Sequence, residues 1–288
     1  MQLQYLGTGA AEGWPGLFCN CKNCESARLL GRKNIRTRSQ AVLYADAVGT
    51  GSVEDILLID LPPDTYFHVI QHGLRLDRVG HLIVTHSHDD HFSPWELTYR
   101  GGVFANPTPN FPLYVYGNEK VKLRYDEVTS HMEDKGGIEF CVVENFVPFD
   151  AGAYTVTALP ALHDRSERCL IYIIEHEGKR MLYGNDTGIF PDETFDYMAG
   201  KQFDLISLDC TFGIESDGDN HMGMPDALDV RRRLDSLGCL KSAGPDGTGT
   251  KFVLHHFSHN GGPSYDAMKE LASDVSMDVS YDGGVWSI

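Results

Sequence analysis

A series of short aliphatic or β-branched runs recurs along this chain, and most of them hand over to a histidine or an aspartate. They are AVLYA (41–45), DILLIDLPPD (55–64), HLIVTH (81–86), PLYVYG (112–117), YTVTALPALHD (154–164), LIYIIEHEGKRMLYGND (170–186), FDLISLDC (203–210) and KFVLHHFSH (251–259). Runs of this kind bounded by turn residues read as strands. EHEGKR at 175–180 reads as a hairpin turn, with Gly178 free to take positive φ. Helical patterns lie between the strands: NCESARLLGRKN, TYFHVIQHG, PDALDVRRRLDSLG with Pro225 suited to a first helical position, and PSYDAMKELASD. Strands alternating with helices, without a repeat or a low-complexity linker, predict one α/β domain over 1–288. In such folds a rigid strand fixes the position of a site residue while the loop after it frees the side chain, so the polar strand exits are the candidate site.

Composition narrows the partners. The formal charge is −17, with no run of Lys or Arg long enough to track a phosphate backbone, so nucleic acid is a disfavoured partner. The same acidity also serves solubility. The N-terminus MQLQYLGTGAAEG lacks a basic region followed by an apolar core, and no stretch is apolar enough to span a membrane, which predicts a cytoplasmic protein. Of the 7 cysteines, three crowd into CNCKNC, which suits a reducing compartment and metal binding better than a disulfide framework. A homodimer is compatible with this composition.

The densest polar stretch is VTHSHDDHFSP, in which His86, His88, Asp90 and His91 form H-x-H-x-D-H. At a strand exit His86 and His88 project to one side, while Asp90 and His91 turn back from the following loop. Imidazole and carboxylate donors suit zinc, iron or manganese. Two such metals about 3.5 to 4 Å apart can activate water and clamp an anionic centre.

THSHDDH resembles the signature of the metallo-β-lactamase superfamily, and PALHD with His163, YGNDTG with Asp186 and LHHFSH with His256 follow in that superfamily's order. The resemblance implies a four-layer αβ/βα sandwich with a dinuclear site along one edge. His86, His88 and His163 would hold one metal, Asp90, His91 and His256 the other, and Asp186 would bridge them.

Cys19, Cys21 and Cys24 give C-x-C-x2-C, which suits a tetrahedral structural zinc lacking one ligand; a loop of reduced cysteines is the alternative. His259, three residues after His256, is a candidate for the fourth. GTGAAEGWPGLFCNCKNC followed by HFSH near the other end resembles the phosphoribosyl 1,2-cyclic phosphate phosphodiesterase branch of the superfamily. That likeness implies a structural zinc on Cys19, Cys21, Cys24 and His259. A relative in pyrroloquinoline quinone biosynthesis shares the cysteine signature but has a degenerate catalytic set, whereas the full catalytic set is present here.

His221, before a helix and after the loop DGDN, is a candidate general acid, because an imidazole titrates near neutrality. It joins Asp90 as a candidate catalytic residue. Asp60 and Asp209 end strands and either support ligand imidazoles or cap the strand ends. GTGAAEG does not match a phosphate-binding loop and reads as a tight turn beside the site. Residues 92–145 form a candidate insertion whose mixed charges do not suit an RNA-binding arm. The expected function is a metal-dependent hydrolase acting on a small phosphodiester, cyclic ones included, through two divalent metals (Zn, Mn or Fe). The alternatives are hydrolysis of a lactone, thioester or amide, an accessory metal-binding protein of quinone-cofactor biosynthesis, and, less suited, a transfer-RNA-processing nuclease.

Overall fold

Both faces of the central strands are apolar, and the chain answers by stacking two sheets and covering each outer face with helices. The computed structural model describes residues 1–216, 218–242 and 249–288; Asp217, in the loop before His221, lies outside them. The first sheet contains β1 (Gln2–Gly7), β2 (Gln40–Tyr44), β3 (Ile56–Ile59), β4 (His81–Ile83), β5 (Leu113–Gly117), β6 (Ile138–Val142) and β14 (Val285–Ser287), in the order β14-β1-β2-β3-β4-β5-β6. The second contains β7 (Pro148–Ala151), β8 (Tyr154–Pro160), β9 (Leu170–His176), β10 (Lys179–Gly184), β11 (Leu205–Asp209), β12 (Lys251–His255) and β13 (Asp278–Val279), in the order β13-β12-β11-β10-β9-β8-β7.

Side chains alternate across a strand, so each strand feeds two cores. Ala41 and Leu43 of β2 meet Tyr172, Ile174 and Tyr183 of the second sheet, while Val42 and Tyr44 face outward with Leu58, Leu82 and Val115. On the other side, Ile206, Leu208 and Leu254 pack against the helices α4 (Asp192–Met198), α5 (Met224–Ser236) and α6 (Tyr265–Asp274) through Phe195, Val230, Leu234 and Met268. The remaining helices are α1 (Lys22–Leu30), α2 (Thr65–His72) and α3 (Glu119–Thr129). This is the expected four-layer αβ/βα sandwich. No helix among the described residues is long and apolar enough to cross a membrane.

Strand direction places the site. β3, β4 and β5 run parallel in the first sheet, and β10, β11 and β12 run parallel in the second. β8 and β10 both pair antiparallel with β9, so β8 runs with β10. Their C-terminal exits therefore deliver Asp60, the 84–91 segment, His163, Asp186, Asp209 and His256 to one edge of the sandwich. Residues 92–145 are largely part of this frame: they supply β5, α3 and β6, and the excursion from the sheet is confined to about 93–112.

Below that edge, a polar network ties the N-terminal strand to the far end of the chain. Asp282 accepts hydrogen bonds from the Thr8 hydroxyl (2.6 Å), the Thr37 backbone N–H (2.7 Å) and the Thr37 hydroxyl (2.7 Å). The buried Arg36 guanidinium donates to Thr8 (2.8 Å) and to the Ser280 carbonyl (2.8 Å). Burial pushes Asp282 from 3.8 up to about 6 in spite of these bonds. The folded chain then keeps a proton that the unfolded chain has already lost, so the Asp282 contribution is full below about pH 4 and is lost as pH rises through about 6. In urea unfolding at a series of pH values, wild type minus Asp282→Asn should fall between pH 4 and 6; a flat difference would refute the assignment.

Candidate metal centre

Three overlapping clusters of donors form at the strand exits and share one carboxylate. His86, His88, His163 and Asp186 make the first, Asp90, His91, Asp186 and His256 the second, and Asp186, Asp209, His221 and His256 the third; within each, the donor atoms lie within 4.8 Å of one another. The seven residues named for a dinuclear site all fall in the first two clusters, and His221 joins the third. Asp60, Asp186 and His256 have φ of 64, 53 and 60°, a left-handed backbone rarely adopted by residues other than glycine, at the turns that leave β3, β10 and β12. Strain of this kind persists where the surrounding packing over-determines it, and it concentrates at functional sites.

The outer ring nitrogens set the direction of the inner ones. His91 Nδ1 lies 2.8 Å from Asp60, and His86 Nδ1 lies 3.0 Å from the Thr85 hydroxyl, which in turn donates to Asp60. His256 Nδ1 lies 2.8 Å from the Thr211 hydroxyl, which donates to Asp209 at 3.0 Å. His163 Nδ1 faces the Asn220 carbonyl at 3.1 Å, and His88 Nε2 faces Asp164 at 3.2 Å. Assigned from this network, each outer nitrogen carries the proton and each inner nitrogen presents a lone pair. Asp60 and Asp209, open between support and strand capping in the sequence, each hold a threonine that orients a histidine.

The inner atoms then confront one another. His91 Nε2 lies 3.2 Å from His256 Nε2 and 3.0 Å from Asp186, and His163 Nε2 lies 3.2 Å from His88 Nδ1. His86 Nε2 is buried without a hydrogen-bond partner. Lone pairs and carboxylate oxygens crowded in this way repel unless cations lie between them, so the residues present fit a pair of divalent metals.

His221 is less exposed than a loop position implies. Its Nδ1 lies 3.0 Å from Asp186 and 3.4 Å from Asp209, and its ring stacks on His256 with centroids 5.9 Å apart. Burial works against its charged form, but hydrogen bonds to the two carboxylates prevail and push its pKa up to about 10. The first two clusters floor a cleft of about 370 Å³, walled by Ala10, Ala11 and Glu12 of the N-terminal turn, by Thr211, Phe212 and His221, and by Ser258 and Asn260. Glu12, Asp164, Phe212 and Asn260 escaped the sequence reading. Asp164 directly follows His163 in LHD, Glu12 stands in GTGAAEG, and Phe212 lies in the loop TFGIESDGDNHMGM (211–224), where a substrate pocket is expected to be shaped, so all three had a local signal; Asn260 had none.

The cysteine segment meets the end of β12. Cys19, Cys21, Cys24 and His259 form a further donor cluster. Cys21 Sγ and Cys19 Sγ lie 3.5 and 4.0 Å from His259 Nδ1, close to the edge of about 3.6 Å that zinc–sulfur and zinc–nitrogen bond lengths give a tetrahedron. A hydrogen bond from the Cys24 backbone lowers the Cys21 thiol to about 6, which favours the thiolate that a metal needs. The remaining cysteines are free, and Cys169, Cys210 and Cys239 are buried, as expected of packing residues. His255 is also a packing residue, stacked on Tyr5 and bonded to Ser39.

A sandwich of this topology with clustered His and Asp donors at one edge is the architecture of metal-dependent hydrolases. Residues 57–241 match the family described as "Beta-lactamase superfamily domain", and the chain belongs to that superfamily. Along its whole length the chain is similar to coenzyme PQQ synthesis protein B of Methylococcus capsulatus, at 26% identity, with 98% of each chain covered. Among solved structures it resembles a diphosphatase from the PhnP family, with a TM-score of 0.75, 17% identity, and 100% and 97% of the two chains covered. It also resembles zinc-bound PqqB from Methylobacterium extorquens, with a TM-score of 0.69, 19% identity and 100% of both chains covered.

The loops that shape the cleft leave no room for side chains where they cross. Gly213 has φ 57°, and a Cβ there would meet the Gly261 carbonyl oxygen at 1.7 Å. Gly213→Ala should therefore cost roughly 2 to 4 kcal/mol, read as a lower urea midpoint.

Proposed function

We propose that this protein is a metal-dependent phosphodiesterase acting on a small phosphodiester, cyclic esters included. The observation that carries the reading is the first two donor clusters, sharing Asp186 on the floor of a cleft of about 370 Å³. In this reading His86, His88 and His163 would hold one divalent metal and Asp90, His91 and His256 the other, with Asp186 within reach of both. Bound there, such metals would supply Lewis acidity and neutralise charge at a phosphoryl centre.

The chain itself does the rest. Asp60 and Asp209, through Thr85 and Thr211, lock the imidazoles in the tautomer that points lone pairs inward. Phe212 and the N-terminal turn narrow the cleft and limit water. His221, on the cleft wall beside Asp186, donates a proton to the departing oxygen. The size of the cleft and the charge of −17 favour a small ester over RNA. Likeness to a PhnP-family diphosphatase supports phosphoester chemistry.

Hydrolysis of bis(p-nitrophenyl) phosphate by manganese-loaded protein tests the reading, and a metal-replete protein without this activity would overturn it. A nitrophenolate leaves without protonation, whereas an alkoxide does not. His221→Asn should therefore reduce hydrolysis of an alkyl phosphodiester by about 100-fold, and that of the nitrophenyl ester far less. Equal losses on both substrates would remove the general-acid role. Lactone, thioester and amide substrates in the same assay cover the other hydrolytic readings.

The full-length likeness to coenzyme PQQ synthesis protein B favours a second reading, an accessory metal-binding protein of cofactor biosynthesis. Metal analysis separates the two: three metals per chain supports the enzyme, and one zinc alone supports the accessory protein. Within the first reading, Cys19, Cys21, Cys24 and His259 hold a structural zinc. Cys24→Ser should then remove one zinc per chain and lower the melting temperature, while the two cleft metals remain.

A further inference from the structure

A second cavity lies away from the donor clusters. It has a volume of about 870 Å³ and shares no lining residue with the cleft. One wall is the outer face of the first sheet, where β3 and β4 present Leu58 and Leu82; the other is the excursion after His91, which contributes Leu97, Phe111, Glu96 and Arg100. A void of this size is at the upper end of the range for small-molecule sites, and its leucine walls call for an apolar occupant.

Arg100 gives the cavity its polarity. Its guanidinium packs beside the Phe111 ring, 5.2 Å from the centroid, and donates to the Phe111 carbonyl. Its Nε is buried without a hydrogen-bond partner, and among the described residues it has no carboxylate partner. The guanidinium is half-buried, enough for desolvation to lower its pKa, and an anion meeting its unpaired Nε would offset that cost. Two acidic residues share the lining. Asp77 is taken up by Arg75 at 2.5 Å, and burial raises the pKa of Glu96, so it resists an anion less than an exposed glutamate would.

We propose that this cavity binds an amphipathic carboxylate, a medium-chain fatty acid, with its chain along Leu58, Leu82 and Leu97 and its carboxylate on Arg100. A bidentate guanidinium–carboxylate pair supplies an anion to the half-buried guanidinium and a partner to its Nε, and the leucine faces take the chain out of water. A purely polar solute would leave the walls wet, and a neutral alkane would leave Arg100 unpaired. The site is independent of hydrolysis in the cleft.

The test is calorimetric titration of metal-loaded full-length protein with decanoate, decanol and acetate, each below micellar concentration. Decanoate should bind saturably, at least tenfold more tightly than decanol, and acetate should not bind. Arg100→Gln should weaken decanoate at least tenfold and leave decanol unchanged. Ala105→Trp, on the wall of the cavity, should weaken both; its cleft activity serves as the folding control. The proposal is overturned if wild type shows no saturable decanoate binding, if Arg100→Gln binds decanoate as wild type does, or if Ala105→Trp leaves binding unchanged. Concentration-dependent dimerisation abolished by Ala105→Trp, without decanoate binding, would assign the cavity to a second copy of the chain and equally overturn it.

Discussion

The carboxylate of Asp186 is the point on which the arrangement depends. It is almost wholly buried, sits at a left-handed backbone position, and lies within 3.2 Å of both His86 Nε2 and His91 Nε2. A carboxylate ringed by lone-pair donors in the interior is unfavourable by itself. The fold holds it there because the outer nitrogens are pinned by Asp60, Thr85, Thr211 and the Asn220 carbonyl, which leaves the inner atoms no other direction. A preorganised, electron-rich void of this kind favours divalent cations before any substrate arrives.

The sandwich supplies the rigidity this requires. Strands of the two sheets end at one edge, so donors from β4, β8, β10 and β12 meet although they are far apart in sequence. The N-terminal turn reaches the same edge because Ala10 and Phe257 exchange backbone contact at 3.0 Å, and Phe257 in turn bonds the Thr8 carbonyl at 2.9 Å. The cysteine segment is fastened to the same end of β12 through His259. Glu12, on the cleft wall, lies 3.6 Å from His259 Nε2, so the cysteine cluster and the cleft are joined through one histidine.

The central strands and four of the helices were legible because their apolar residues recur at the right period and turn residues bound them. The elements without such a signal lie mostly at the margins; β1, QLQYLG, is the exception, a buried strand between β14 and β2 whose two glutamines interrupt the apolar run. β6, with alternating exposure, and the two-residue β13 are at or near sheet edges, where hydrophobic patterning is diluted by solvent. α3, EKVKLRYDEVT, buries only Val121, Tyr125 and Thr129 beneath a charged surface, and α4 is a single short amphipathic turn pair, DETFDYM. For the site, the spacing in THSHDDH pointed to metal chemistry, and its resemblance, together with LHD, GND and HHFSH, to the superfamily's motif order named the remaining candidate donors. Their supporting partners were harder: Asp164, Glu12 and Phe212 had neighbours that could have drawn attention, while Asn260 is an ordinary loop residue until the chain has folded.

By itself the sequence determined the layered class of the fold, the donor types and their chemical preference, because periodicity and ligand chemistry are local properties of residue type and spacing. Only the tertiary structure decided which ring nitrogen faces inward, that His221 is held against Asp186, and that a leucine-walled cavity lined by Arg100 lies under the excursion after His91. These depend on strand direction and loop crossings, which bring together atoms far apart in the chain, and no local pattern encodes such meetings.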